Sequence, residues 1–288
     1  MVGFELQYLW NGIVSGSIIA VAALGLTLIF GVLNFINVAY GEYIALGAYF
    51  AYLGKVELGY PLVVGAIFGV IGAAVVALIT HWVVFKRFDT KPPITLLIVS
   101  IGVSIILRNL IMINWGGSNL SYERPIEQAD QVFGVFVLPI EVVIVAVSVL
   151  LLMGTYLLLQ RTMVGIGMRG ASDNMDLAKI RGIDTRRLVI YVWLVAGGIA
   201  GISGILLGLH SQIKPLMGFT LLIALFAAVI LGGIGDPIGA VVSGYVIGLS
   251  QELSLVVLPS EYRTMVALII LVIGLLAKPQ GLFGEATR

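Results

Sequence analysis

The chain has 288 residues, 16 Lys and Arg against 15 Asp and Glu, and a net charge of +1. With 60% hydrophobic residues, 11% charged and a mean hydropathy of +1.11, it carries too little charge to cover a water-soluble domain of this length, so its solvent is a bilayer. The near-neutral balance excludes bulk attraction to nucleic acid, and the lack of cysteine excludes a disulfide framework, thiol chemistry and a cysteine metal site.

A membrane-spanning helix needs about 20 apolar residues to cross roughly 30 Å of hydrocarbon. Nine segments qualify in chain order: 8–31, 35–54, 60–85, 94–114, 135–159, 188–210, 218–235, 237–257 and 262–277. They leave no room for a soluble domain. The fold class is therefore all-α, a single polytopic domain over 1–288 with 8–9 transmembrane segments, one or two of them broken or re-entrant. The start, Met1 to Glu5, has no Lys or Arg, so the first span reads as retained rather than as a leader. The 36 glycines fit close helix packing in lipid.

The second span is interrupted where it begins. Gly31, Asn34, Asn37 and Gly41, just before Glu42, weaken a helix and predict an unwound stretch whose backbone faces protein or a water-filled cavity. A charge at mid-bilayer costs about 2.5–3.5 kcal/mol, so Glu42 needs a reason to be there. Arg108, six residues from Asn114 in the fourth span, is expected to snorkel outward. The loop 115–134 carries Glu123, Arg124, Glu127 and Asp130, either a solvated connector or the surface a partner meets from outside.

The 160–187 loop is too short for a domain and too long for a turn. Ser172-Asp173 is expected to open a short amphipathic helix, with Met175, Leu177, Ala178 and Ile180 on its apolar side. Lys179 and Arg181 suit its negative end, and Gly182 stops it. Asp184-Thr185 opens the next helix. Pattern alone leaves the short helix either on the membrane surface or docked into another protein. A second interruption, Leu231 to Ala240, holds Gly232, Gly233, Gly235, Asp236 as an N-cap, and Pro237. Paired interruptions in two halves of a membrane chain point to a transport pathway, here with the glycines facing Asn34, Asn37, Gly41 and Glu42. Glu252 in the eighth span is expected to pair with a neighbouring helix, Arg108 being one candidate. His81 and His210 read as interfacial polar residues, not as a metal pair.

Short loops orient the chain. Lys86, Arg87 and Lys91, the six basic residues of 160–187, and Lys278 and Arg288 fall on one side; Lys55, Arg124, Lys214 and Arg263 fall on the other. The basic side is cytoplasmic, which sets the N-terminus outside and the C-terminus inside. No phosphate-cradling Gly-x-x-x-x-Gly-Lys loop, no metal-protease motif and no nucleophile–base set occurs, so neither ATP binding nor catalysis is expected of this chain. Few ionisable groups lie deep, against the pattern of an ion-driven carrier.

Four stretches resemble one family in register along nearly the whole chain. They are Asn37-Val38-Ala39-Tyr40-Gly41-Glu42 with Leu46-Gly47-Ala48-Tyr49; Lys179-Ile180-Arg181-Gly182-Ile183-Asp184; Leu231-Gly232-Gly233-Ile234-Gly235; and Pro279-Gln280-Gly281-Leu282-Phe283-Gly284. They are similar to LivH-type permeases of bacterial ATP-binding-cassette importers for branched-chain amino acids. Two departures, Tyr40 where the family often has His and a shifted Pro237, touch the pathway regions and bear on substrate. The resemblance implies an inner-membrane subunit for branched-chain or other neutral amino acids, with urea or short amides as alternatives. It implies a second related permease, two cytoplasmic ATPase subunits holding ATP and Mg, an external substrate-binding protein, surrounding membrane lipid, and no cofactor on this chain. It makes Ser172, Asp173, Met175, Leu177, Ala178, Lys179, Arg181 and Gly182 the ATPase-coupling segment. The rivals are an ion-coupled secondary carrier and a non-transporting scaffold, with an intramembrane enzyme last.

Overall fold

The computed structural model describes residues 2–88, 91–123, 128–132 and 134–283. Met1, Arg124, Glu127, Gly284 and Arg288 of the sequence reading lie outside the described residues. The helices are α1 (Val2–Leu33), α2 (Tyr40–Tyr52), α3 (Leu62–Val83), α4 (Pro93–Trp115), α5 (Pro139–Arg161), α6 (Met163–Asp173), α7 (Met175–Ile180), α8 (Thr185–His210), α9 (Met217–Gly232), α10 (Pro237–Leu253) and α11 (Arg263–Ala277). Proline opens α4, α5 and α10, where its missing N–H leaves nothing unpaired.

All nine expected spans are helices in the expected order. Among the described residues seven are long and apolar enough to cross a membrane. The two that fall short are those read as interrupted. The helix of the second span is only 13 residues, α2, extended by a π-helical turn at Leu53–Glu57. α9 has 16 residues, about 24 Å. The all-α polytopic class stands.

α1 is the central helix. Its apolar window is 83% buried, against 11% for α11, because α10, α8, α9 and α5 surround it. α2 is wedged among α3, α8 and α9, while α4 meets the bundle chiefly through α2. Ile98, Ile106 and Ile113 of α4 and Leu150 of α5 point outward, where hydrocarbon or another membrane-spanning surface must cover them. Small residues set how closely the inner helices approach. A side chain on Gly204 would strike the Ile44 carbonyl oxygen, and one on Gly218 the Gly41 carbonyl oxygen, so α8 and α9 both cross α2 backbone to backbone.

The described residues of the 115–134 loop include paired backbone. β1 (Asp130–Val132) pairs antiparallel with β2 (Val135–Val137) around Gly134 at φ +83°. Leu120 exchanges backbone hydrogen bonds with Ile213 at 3.0 and 2.9 Å, and the Tyr122 hydroxyl donates to the Ala48 carbonyl at 3.2 Å.

Candidate functional site

The break between α1 and α2 runs over residues 34–39. Asn34 ends α1 in the left-handed region at φ +55°, which asparagine tolerates better than most residues, and its N–H still reaches the Phe30 carbonyl at 2.8 Å. The released backbone is tied to α4: Val38 N–H donates to Ser100 Oγ at 3.0 Å. α2 then opens with Glu42 in its first turn, an acid at the positive end of a helix.

Glu42 is fully buried, and a single oxygen carries its contacts. Oε1 accepts from Ser104 Oγ at 3.0 Å, Arg108 Nε at 3.1 Å and Arg108 Nη2 at 2.6 Å; Oε2 has no partner. The Arg108 guanidinium also lies over the Phe219 ring of α9, 4.4 Å from its centroid. Arg108 therefore does not snorkel. It sits seven residues, about 10 Å, from the Trp115 end of α4, and pairing with Glu42 avoids leaving two charges uncompensated in hydrocarbon. Glu252 is correspondingly not its partner: it accepts from Ser15 Oγ at 2.8 Å and pairs with Arg263, tying α10 and α11 to α1.

Further polar groups surround the break. Asn37 is fully buried with neither amide atom in a hydrogen bond of good geometry, and the buried Tyr40 hydroxyl, lodged against Gly25, has no partner either. Tyr43 and Thr80 share a 2.6 Å hydrogen bond. Trp193 closes the region from α8, stacked on His81 and Phe85 at 5.3 and 5.1 Å. His81 is thus an aromatic packing group, and no cluster of three or more metal-ligating side chains occurs among the described residues. Asn37, Tyr40 and Glu42 so bring polar groups with unused hydrogen-bonding capacity within six residues of one interrupted segment, where buried groups ordinarily pair in full.

The structure does not place the glycine-rich turn opposite this cluster. Gly41 packs on Gly218 and Leu222 at the start of α9, and Gly232 lies at the other end of that helix. Gly232 packs on Gly239, Gly233 on Gly281, and the tail straps the turn through Leu282 N–H to Leu231 O at 2.7 Å and Phe283 N–H to Gly232 O at 3.0 Å. Gly235 sits against Gly31, beside Ser172. Asn34 is exposed just past the end of α1. Sequence reasoning missed the partners of Glu42 on α4, although Ser100, Ser104 and Arg108 recur every four residues and so share one helix face.

The 160–187 loop holds two helices rather than one. Ser172 and Asp173 end α6; Asn174, at φ −161° and ψ 106°, caps α7 by accepting from Leu177 N–H at 2.9 Å. Two adjacent residue types suit a cap equally well, and the extended backbone at Asn174 decides between them. Gly182 ends α7 at φ +86°, and Asp184 caps α8 by accepting from Arg187 N–H at 3.2 Å, both as expected. Ala178 is buried and Met175 partly so, while Leu177 and Ile180 are exposed beside Lys179 and Arg181. Ser172 reaches the Gly31–Gly235 contact.

Residues 8–275 match the family described as the permease component of branched-chain amino acid transport systems. The chain belongs to this permease family. LivH, the high-affinity branched-chain amino acid transport system permease protein of Escherichia coli strain K12, is 27% identical, covering 98% of this chain and 96% of that one. The probable branched-chain amino acid transport permease protein LivH of Methanocaldococcus jannaschii is 32% identical over 97% and 93%. The ribose import permease protein RbsC of Escherichia coli strain K12 is 26% identical over 95% and 86%. Among solved structures, PsaBC from Streptococcus pneumoniae in complex with Fab aligns over 98% of both chains with a TM-score of 0.55; at 13% identity the likeness is one of fold alone. The chain is a multi-pass membrane protein of a transport family.

Proposed function

We propose that this chain is the non-catalytic, membrane-spanning subunit of an ATP-driven importer for branched-chain or other neutral amino acids. The observation that carries the reading is the family match across 8–275, together with relatives named for branched-chain amino acid transport. A second permease completes the pore, two cytoplasmic ATPase subunits hold ATP and Mg, and an external binding protein delivers substrate. The basic loops face the cytoplasm, with the N-terminus outside.

The geometry supports a route for the work of ATP hydrolysis. The exposed Leu177, Lys179, Ile180 and Arg181 form a mixed apolar and basic docking face for the ATPases. Movement of α6–α7 reaches Ser172, then the Gly31–Gly235 contact at the end of α1. From there it enters the unwound 34–39 segment, which is tied to α4 through Ser100 and leads into α2, where Glu42 pairs with Arg108. An unwound segment can change φ and ψ without breaking a helical ladder, so it is the natural hinge for alternating access. The Glu42–Arg108 pair cancels its own charge, which suits a solute without net charge, and the unused hydrogen-bonding capacity of Asn37, Tyr40 and Glu42 is available to its polar groups.

The test is co-purification of the tagged chain from its native membrane, with ATPase assay of what accompanies it. A second permease and ATPases, with hydrolysis stimulated by a binding protein loaded with leucine, isoleucine or valine, is the expected result. Stimulation by urea instead would move the substrate class. A partnerless chain whose transport follows an ion gradient would overturn the proposal.

A further inference from the structure

α5 and α10 both pack on α1, and a groove of about 350 Å³ lies between them, floored by Leu24 of α1. Leu152, Leu159 and Val241 line its depth, and Tyr156, Ile238 and Val242 are exposed at its lips, so it is open to the surroundings. Leu24 lies nine residues from the end of α1, about 14 Å, which is close to the roughly 15 Å hydrocarbon depth of one leaflet.

The end beside α6 is charged in both signs. Arg169 of α6 and Asp236 at the cap of α10 line the same groove, yet no ion pair joins them among the described residues. Arg169 Nη1 donates to Gln160 Oε1 at 2.9 Å, leaving Nε and Nη2. Asp236 Oδ1 accepts from Ile238 N–H at 3.0 Å, leaving Oδ2. A guanidinium with donors to spare and a free carboxylate oxygen, both lining one end of an apolar groove, complement a headgroup with an anion and a hydrogen-bonding cation.

We propose that this groove binds one phosphatidylethanolamine-type phospholipid, with an acyl chain along Leu24, Leu152 and Val241, its phosphate on Arg169 and its primary ammonium on Asp236. Choline headgroups carry no N–H to donate to the carboxylate, and glycerol headgroups have no cation, so the pair of charges selects the aminophospholipid. The site joins α6, next to the segment assigned to ATPase docking, to α10 through a lipid. It rests on the membrane reading and not on the transported substrate.

The test exchanges the full-length chain into nanodiscs of equal phosphatidylethanolamine, phosphatidylcholine and phosphatidylglycerol, and counts retained lipid by native mass spectrometry after release. One phosphatidylethanolamine per chain is expected, favoured about tenfold over the other two. Arg169→Gln lowers retention of all three. Asp236→Asn, which can still cap α10, removes the preference over phosphatidylcholine. Val242→Trp, placed at an exposed lip so that the fold tolerates it, blocks retention. Preference for phosphatidylglycerol, equal retention of all three, an Asp236→Asn variant that keeps the selectivity, or a chain that dimerises through this face and holds no lipid would each overturn the proposal.

Discussion

Replacing Arg108 with leucine should destabilise the fold by about 3–4 kcal/mol, and the size follows from how Glu42 is held. Oε1 loses two guanidinium donors, at 3.1 and 2.6 Å, and keeps only Ser104 at 3.0 Å. Glu42 is fully buried and cannot turn to water. Removing one member of a buried pair costs roughly 3–5 kcal/mol. Protonation offers an escape, and neutralising a carboxyl of ordinary pKa about 4.3 at pH 7 costs about 3.7 kcal/mol, which limits the loss. Glu42→Gln in the Arg108→Leu background removes the stranded charge and should recover at least half of the penalty. The assay is reversible unfolding in mixed micelles with increasing denaturing detergent, followed by tryptophan fluorescence, to which the buried Trp193 contributes. A snorkelling arginine would behave as a surface residue, within about 0.5 kcal/mol of wild type. That result, or strict additivity of the two substitutions, would refute the pairing as the anchor of α4.

Other expectations separate close packing, backbone strain and orientation. Gly218→Val places a side chain against the Gly41 carbonyl and should lower thermal stability in detergent by about 1–3 kcal/mol, whereas Gly102→Ala, with nothing within 4 Å, should be neutral or slightly stabilising. Gly182→Val meets no neighbour but must hold φ +86°, a strain of about 1–2 kcal/mol; it should insert normally and lose ATP-dependent uptake, and full uptake with normal ATPase stimulation would count against coupling through α7. The chain has no cysteine, so single cysteines at Lys86, Arg181 and Lys214 report sidedness directly. An impermeant maleimide applied to spheroplasts should label the Lys214 variant and spare the other two; the reverse pattern would invert the assigned orientation.

Much of this architecture is written in local pattern. Apolar run length located the helices, and Asn34, Asn37 and Gly41 marked the break before α2, because residue choice there acts through backbone preference over a few positions. The caps at Asp184 and Asp236 were legible for the same reason. What escaped depends on three-dimensional depth. Nothing in the run 218–235 states that its first turn meets Gly41, so the glycines at its far end were expected to face Glu42 when they close the α9–α10 turn instead. Arg108 could be placed near an interface by counting, but the choice between water and Glu42 rests on α2 starting late, after the unwound segment. The hairpin of β1 and β2 was hidden by its length, three residues a strand, too short for alternation to register.

The most direct measurement of the central claim is uptake by proteoliposomes holding the complex that co-purifies with this chain, with ATP inside or outside and binding protein loaded with radiolabelled leucine outside. Accumulation that requires ATP on the ATPase side, survives collapse of ion gradients and falls sharply with Gly182→Val is the predicted result. Accumulation that ignores ATP and disappears with the ion gradient would contradict the account.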